Sequence, residues 1–279
     1  MTAGAAPTRS GPQPVLALLA AAHGGPALAV GVIAGLLALR SDLRPLDAAV
    51  LTGAVLTGQL TIDWGNDLRD LSRDRAVGRT DRPLVTGALP IAWAVRALVA
   101  AGLACLVLSA LVGRRSALGN VVLGAGAGHV CNLGLKATWW SWVPYASAFG
   151  TLPSVVTLVG PAPAWAPLWM TGAGAALGVG AHLLNTLPDL ADDERTGVRG
   201  LPHRIGERPS RILAVVLLSA ASLLAVLAPA GPPPPAWEWT ALVLVMVLAV
   251  LTLVARGCVP FRTALAIALL DVVLLVAAG

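Results

Sequence analysis

The sequence predicts an all-α polytopic membrane protein: about nine transmembrane helices, arranged as two related four-helix halves plus a final helix around a central cavity. Three observations carry this reading. Hydrophobic residues make up 57% of the 279 positions and charged residues 12%, with a mean hydropathy of +0.79; soluble domains carry about 25% charged residues. Apolar stretches of the ~20 residues needed to cross a bilayer recur along the chain. And 20 of the 33 charges fall in two short windows, Asp63 to Arg82 and Asp189 to Arg211. A chain this poor in charge is neither a soluble enzyme nor disordered. Its net charge of +5 gives no case for nucleic acid, because the basic residues are gathered at loops between apolar stretches.

Taken in order, residues 1–14 form a short, small-residue, polar tail with one Arg, and 15–279 form a single membrane domain. The tail lacks the pattern of a cleavable leader, so the first apolar stretch is expected to be retained. Spans are expected at roughly 15–39, 46–65, 88–112, 117–135, 139–160, 164–187, 210–230, 236–255 and 260–278. His23-Gly24-Gly25-Pro26 interrupts the first of these, and Arg96 lies about one turn inside the third. With the N-terminus in the cytoplasm, fourteen Lys and Arg fall on that side and four on the other (Arg40, Arg44, Arg114 and Arg115). That ratio favours the N-in orientation and puts both charged windows in the cytoplasm. The tryptophans Trp139, Trp140, Trp142, Trp237 and Trp239 sit at span ends, where an interfacial belt is expected. Cys105, Cys131 and Cys258 read as small buried hydrophobes.

The two charged windows align at an offset of 119. Asn66, Asp70, Asp74, Gly78 and Pro83 stand over Asn185, Asp189, Asp193, Gly197 and Pro202, and seven of 18 aligned positions are identical. Two related halves, roughly 15–135 and 139–255, follow from this register. In the first window Asp63, Asp67, Asp70 and Asp74 are spaced 4, 3 and 4, which places them on one helical face. In the second, His182, Asn185, Asp189 and Asp193 (or Asp192) are expected to form the matching stripe. Like charges on one helical face repel by about 0.2–0.5 kcal/mol per exposed pair, and each lone charge at membrane depth costs a few kcal/mol. Such an arrangement points to a bound cation. Oxygen-only ligands suit Mg²⁺, which bridges carboxylates to substrate phosphates. The plainer alternative, two wet loops that are polar because they face water, does not explain a shared Asn-x-x-x-Asp-x-x-x-Asp pattern. Among the basic residues Arg73, Arg75, Arg79, Arg195 and Arg199 combine topology marking with possible diphosphate contacts, and Asp63 and His182 border the same substrate region. Lys136 is the only lysine. It either snorkels to the interface or caps a phosphate.

At these residues the chain resembles the UbiA superfamily of intramembrane prenyltransferases. Asn66-Asp67-x-x-Asp70-x-x-x-Asp74, followed by Arg75 and Gly78, is similar to that family's first aspartate-rich motif. Asp189-x-x-x-Asp193, preceded by Asn185, is similar to its second. Lys136 stands where the family has a Tyr-x-x-x-Lys element, with Asn132 in place of the tyrosine, and Thr186 stands where the first motif has Asp67. The resemblance implies a nine-helix layout and two Mg²⁺ ions held by Asn66, Asp67, Asp70, Asp74, Asn185, Asp189 and Asp193. It implies an isoprenyl diphosphate donor and a lipophilic or aromatic acceptor. Asp70, Asp189 and Lys136 are the expected catalytic residues.

The implied reaction ionises the allylic C–O bond as diphosphate departs, inside apolar walls that limit hydrolysis of the cation. A terpene cyclase would use the same metal site, as would a lipid-linked phosphoribosyl transferase. A secondary transporter is the alternative from another class, with Asp271, midway along the last span, as its best residue. Against it, the other acids gather at one membrane face.

Overall fold

A computed structural model describes residues 14–22, 24–255 and 259–278. Arg9, His23, Arg256 and Cys258 lie outside these residues, as do the side chains of Asp192 and Phe261. Every regular element among the described residues is helical.

The first apolar stretch is split at the expected break into α1 (Pro14–Ala21) and α2 (Gly24–Arg40). Helix α3 (Pro45–Ala76) starts on a proline, which suits a first turn whose N–H groups have no intrahelical partner. It runs 32 residues, about 48 Å, and so overshoots a hydrocarbon core of about 30 Å. The expected span at 46–65 and the first charged window as far as Arg75 are therefore one continuous helix. A single turn, α4 (Pro83–Thr86), leads to α5 (Ile91–Leu111). Next comes α6 (Arg114–Leu118), which passes through a π-helical stretch, Gly119–Gly126, into α7 (Ala127–Asn132). Lys136 sits in a 3-10 turn, Leu135–Ala137. Helices α8 (Val143–Thr157) and α9 (Leu168–Thr186) form a tight antiparallel pair. An ideal Cβ on Gly174 would stand 2.4 Å from the Phe149 carbonyl oxygen, so only glycine permits this approach.

The second window departs from the expected single stripe. Helix α9 stops at Thr186, a 3-10 turn spans Leu187–Asp189, and α10 (Leu190–Arg195) follows. Pro188 is the cause: it has no N–H to continue the ladder and its ring crowds the preceding turn. His182 and Asn185 thus belong to one helix and Asp193 to another, with Asp189 in the turn between them. After α11 (Leu201–Ile205) come α12 (Glu207–Leu227), α13 (Ala236–Val254) and α14 (Val259–Ala278).

Beyond the motifs the two windows close alike. The Arg79 N–H donates to the Asp74 carbonyl at 3.0 Å, and the Val198 N–H donates to the Asp193 carbonyl at 2.9 Å. Gly78 and Gly197, at φ +71° and +81°, reverse the chain in the left-handed region. The next turn ends alike as well, on Gly87 and Gly206 at φ +76° and +85°.

Helix α3 packs on α2 and α5, α9 on α8 and α12, and α14 on α12 and α13. Contacts of α2 with α8 and α14 close the ring. Leu51, Val55, Val155 and Val156 are buried in the main core, while Leu103, Val107 and Val247 are more than half exposed on the outside. Four helices among the described residues are long and apolar enough to cross a membrane: Pro45–Ala76, Ile91–Leu111, Glu207–Leu227 and Ala236–Val254. This is the build of an integral membrane protein.

Candidate active site

The polar stripe of α3 faces inward at the end of the helix that overshoots the apolar core. Asp67, Asp70 and Asp74 are only 3%, 7% and 7% exposed, whereas Arg69 and Arg75, on the opposite face, are exposed. Buried carboxylates need partners, and cations supply them. Lys136 Nζ donates to Asp70 Oδ2 at 2.6 Å and to Asn66 Oδ1 at 3.0 Å. Arg73 donates to the same Asp70 oxygen at 2.8 Å. Arg82, from the loop after the helix, donates to Asp67 Oδ1 at 3.1 Å. Asp63, one turn deeper, keeps Oδ2 buried without a hydrogen bond and within electrostatic reach of Asp67 and Arg82.

The second window comes close enough to join this cluster. Arg79 forms a two-bond fork with Asp81, both bonds at 2.9 Å, and holds that carboxyl down at about 2. Arg79 is also within electrostatic reach of both Asp74 and Asp189, one from each window. Asp193 feels Arg73, Lys136 and Asp189; burial raises its proton affinity, and the nearby cations counter that rise. Its Oδ2 lies 3.6 Å from Nε2 of His203, an electrostatic contact longer than a hydrogen bond. Burial lowers the proton affinity of His203, against the pull of Asp193 and Glu194.

The remaining expected site residues divide. Asn185 and Asp189 are exposed at the edge of the cluster, and Arg75 and Arg195 face outward. Arg199 pairs with Glu194 at 2.9 Å, on an exposed surface. His182 is buried in the wall: it stacks on Tyr145 at a ring separation of 4.3 Å, and its Nε2 lies 3.1 Å from Ser141 Oγ. Ser141 Oγ already accepts the Leu201 N–H at 2.9 Å, which leaves its hydroxyl proton for the histidine. Asn132 donates to the Ile62 carbonyl at 2.9 Å and so ties α7 to α3. Asp271 is buried and accepts a hydrogen bond from Ser222, an interhelical contact remote from the cluster in the fold. Three residues that no motif singled out take part: Arg82, His203 and Tyr145. Arg82 carried a signal as a charge inside the window; the other two had none.

Asn66, Asp67, Asp70, Asp74 and Asp193 offer only oxygen donors, the kind that Mg²⁺ prefers. Among the described residues, no three His, Cys, Asp or Glu side chains converge on one point; Lys136, Arg73 and Arg82 neutralise the carboxylates instead. Beside the cluster lies a cavity of about 110 Å³, walled in part by Ile62, Phe149, Leu152 and Val155.

The model of the UbiA prenyltransferase family matches residues 79–262. That range takes in Lys136 and the second window, and begins just after the first. A comparison with curated protein sequences finds no match. Among solved structures, a UbiA homolog from Archaeoglobus fulgidus bound to GPP and Mg²⁺ superposes with a TM-score of 0.69 at 14% identity, covering 94% of this chain and 99% of that one. An apo UbiA homolog from Aeropyrum pernix K1 gives 0.71 at 15%, covering 95% and 98%. A structure concerned with digeranylgeranylglyceryl phosphate synthase in membranes gives 0.64 at 15%, covering 96% and 99%. At these identities the likeness is one of fold.

Proposed function

From the premise that the chain belongs to the UbiA prenyltransferase family, and is thereby an enzyme that transfers prenyl groups, we propose that it is an Mg²⁺-dependent intramembrane prenyltransferase, taking an isoprenyl diphosphate as donor and passing the prenyl group to a lipophilic or aromatic acceptor. The observation that carries the reading is the buried cluster in which Asp67, Asp70 and Asp74 meet Lys136, Arg73 and Arg82, with Asp193 in electrostatic reach. A similar fold that binds GPP and Mg²⁺ supports it.

Asn66, Asp67, Asp70 and Asp74 on one side, and Asn185, Asp189 and Asp193 on the other, would hold two Mg²⁺ ions. Bound there, Mg²⁺ supplies positive charge to the departing diphosphate. The chain's own cations do related work. Lys136 and Arg73 share one carboxylate oxygen at 2.6 and 2.8 Å, so either can turn a donor toward a phosphate while the other stays. Arg79, within electrostatic reach of Asp74 and Asp189, is available for the same task. As the C–O bond lengthens, these donors stabilise the negative charge that leaves. The apolar walls of the cavity keep water from the carbocation until the acceptor attacks and loses a proton.

The same reading gives nine spans, with halves at roughly 15–135 and 139–255. The N-terminus and both aspartate motifs are cytoplasmic. The like closure of the two windows on Gly78 and Gly197 supports the halves.

The test is release of diphosphate from a prenyl diphosphate by the purified protein. Release requires Mg²⁺ and falls at least 100-fold in Asp70→Ala and in Asp189→Ala. Full activity in both variants sinks the site assignment.

A further inference from the structure

Between α3, the π-helical stretch, α7 and α8, the cavity beside the cluster has polar side chains at Gln59, Asn120, Asn132 and Tyr145. Gln59 continues the α3 stripe one turn deeper than Asp63. Asn120 belongs to the π-helical stretch, a backbone form that recurs at functional sites. Two of the amides are half committed. Asn120 Nδ2 donates to Ser109 Oγ at 3.0 Å, and Asn132 Nδ2 to the Ile62 carbonyl at 2.9 Å. Their carbonyl oxygens remain to accept, and the Gln59 amide makes no hydrogen bond within the described residues. An occupant made only of hydrocarbon would strip these groups of water and return nothing, at a cost of about five-fold or more in affinity for each. The cavity therefore asks for an occupant with hydrogen-bonding groups of its own.

Its charge pattern narrows the class. Among the described residues, no Lys, Arg, His, Asp or Glu lines the cavity. A carboxylate placed here would lose its hydration and find no counter-charge among the lining residues.

We propose that this cavity is the acceptor pocket and that it selects an uncharged acceptor bearing hydroxyl or carbonyl groups, recognised by Gln59, Asn120 and Asn132; the inference rests on the prenyl-transfer reading above. Attack of the acceptor on the prenyl carbon forms the new bond, the C–O bond to diphosphate breaks, and the acceptor's proton is lost.

The test uses the full chain in nanodiscs with Mg²⁺ and dimethylallyl diphosphate, offered hydroquinone, methyl 4-hydroxybenzoate or 4-hydroxybenzoate. The two neutral phenols are expected to react with a kcat/KM at least ten-fold above that of the anion. Gln59→Leu lowers kcat/KM for hydroquinone about ten-fold through the acceptor KM and leaves the donor KM unchanged. Gln59→Lys supplies the missing counter-charge and raises use of 4-hydroxybenzoate relative to hydroquinone. Three results overturn the pocket: preference for the anion, a rise in donor KM in Gln59→Leu, or diphosphate release with none of the phenols prenylated. Diphosphate release is followed in parallel. If the wild type releases none with or without acceptor, the transfer reading itself has failed; release with the wrong acceptor pattern fails only the pocket.

Discussion

Asp70 Oδ2 accepts from both Lys136 and Arg73, and this one atom shows how the cluster tolerates its own charge. A carboxylate 7% exposed, with three further aspartates on its helix face, is stable only while its cations stay. Lys136→Met leaves Arg73 as its single charged partner and is expected to lower metal-free stability by about 2 kcal/mol, within the range for a hydrogen bond to a charged group. The same change removes a competitor for the carboxylate oxygens. The thermal shift produced by Mg²⁺ alone should therefore be larger in Lys136→Met than in the wild type; equal shifts would separate the lysine from the metal site. At this scale the sequence was informative where residues repeat at helical spacing. The stripe Asp63, Asp67, Asp70 and Asp74 could be read from its 4, 3, 4 pattern. The approach of Lys136 to Asp70, 66 positions away, could not be read from spacing, and the resemblance to a known motif supplied only the lysine. His203 and Tyr145 remained hidden because a lone histidine or tyrosine in an apolar chain has no period and no partner in sequence.

Among the elements, the α8–α9 pair shows how small residues set the architecture. With the ideal Cβ of Gly174 at 2.4 Å from the Phe149 carbonyl oxygen, Gly174→Ala must push the helices apart. We expect it to destabilise the protein by about 1–3 kcal/mol, as overpacking does. Gly172→Ala is the control, since its Cβ meets only the flexible Leu224 side chain at 3.5 Å and should be tolerated in the same thermal assay. A larger loss for Gly172→Ala would refute the packing account. Hydropathy located the elements, because apolar stretches and helices coincide here. It missed two features that depend on backbone chemistry. Helix α3 continues eleven residues past the expected end of its span, since the charged window contains no Gly or Pro between Asn66 and Ala76 to stop it. Pro188 divides the second window, so the two motifs share residues and closing turns without sharing a helix shape.

For the whole molecule, the orientation is the open quantity, and it can be measured with single cysteines. In a background with Cys258 replaced by Ala, Pro233→Cys and Thr80→Cys both lie on exposed loop positions. The positive-inside count expects an impermeant maleimide to label Pro233→Cys in right-side-out vesicles and Thr80→Cys only after permeabilisation; the opposite pattern reverses the topology. Cys105 and Cys131 are buried and should stay silent. The all-helical class was legible from composition together with the recurring apolar stretches of about 20 residues, whereas ring closure through α2 and α14 was not, because contacts between helices near opposite ends of the sequence leave no local signature. The overshoot of α3 has its consequence at this scale too. The apolar part of α3 is packed in the core of the helix bundle, and its acidic end stands beyond the length that a bilayer would cover. On the proposed reading, cutting a donor there would release the ionic fragment toward water and leave the hydrocarbon fragment on the apolar side. The two products would then part into two phases, and that dilution would help to draw the reaction forward.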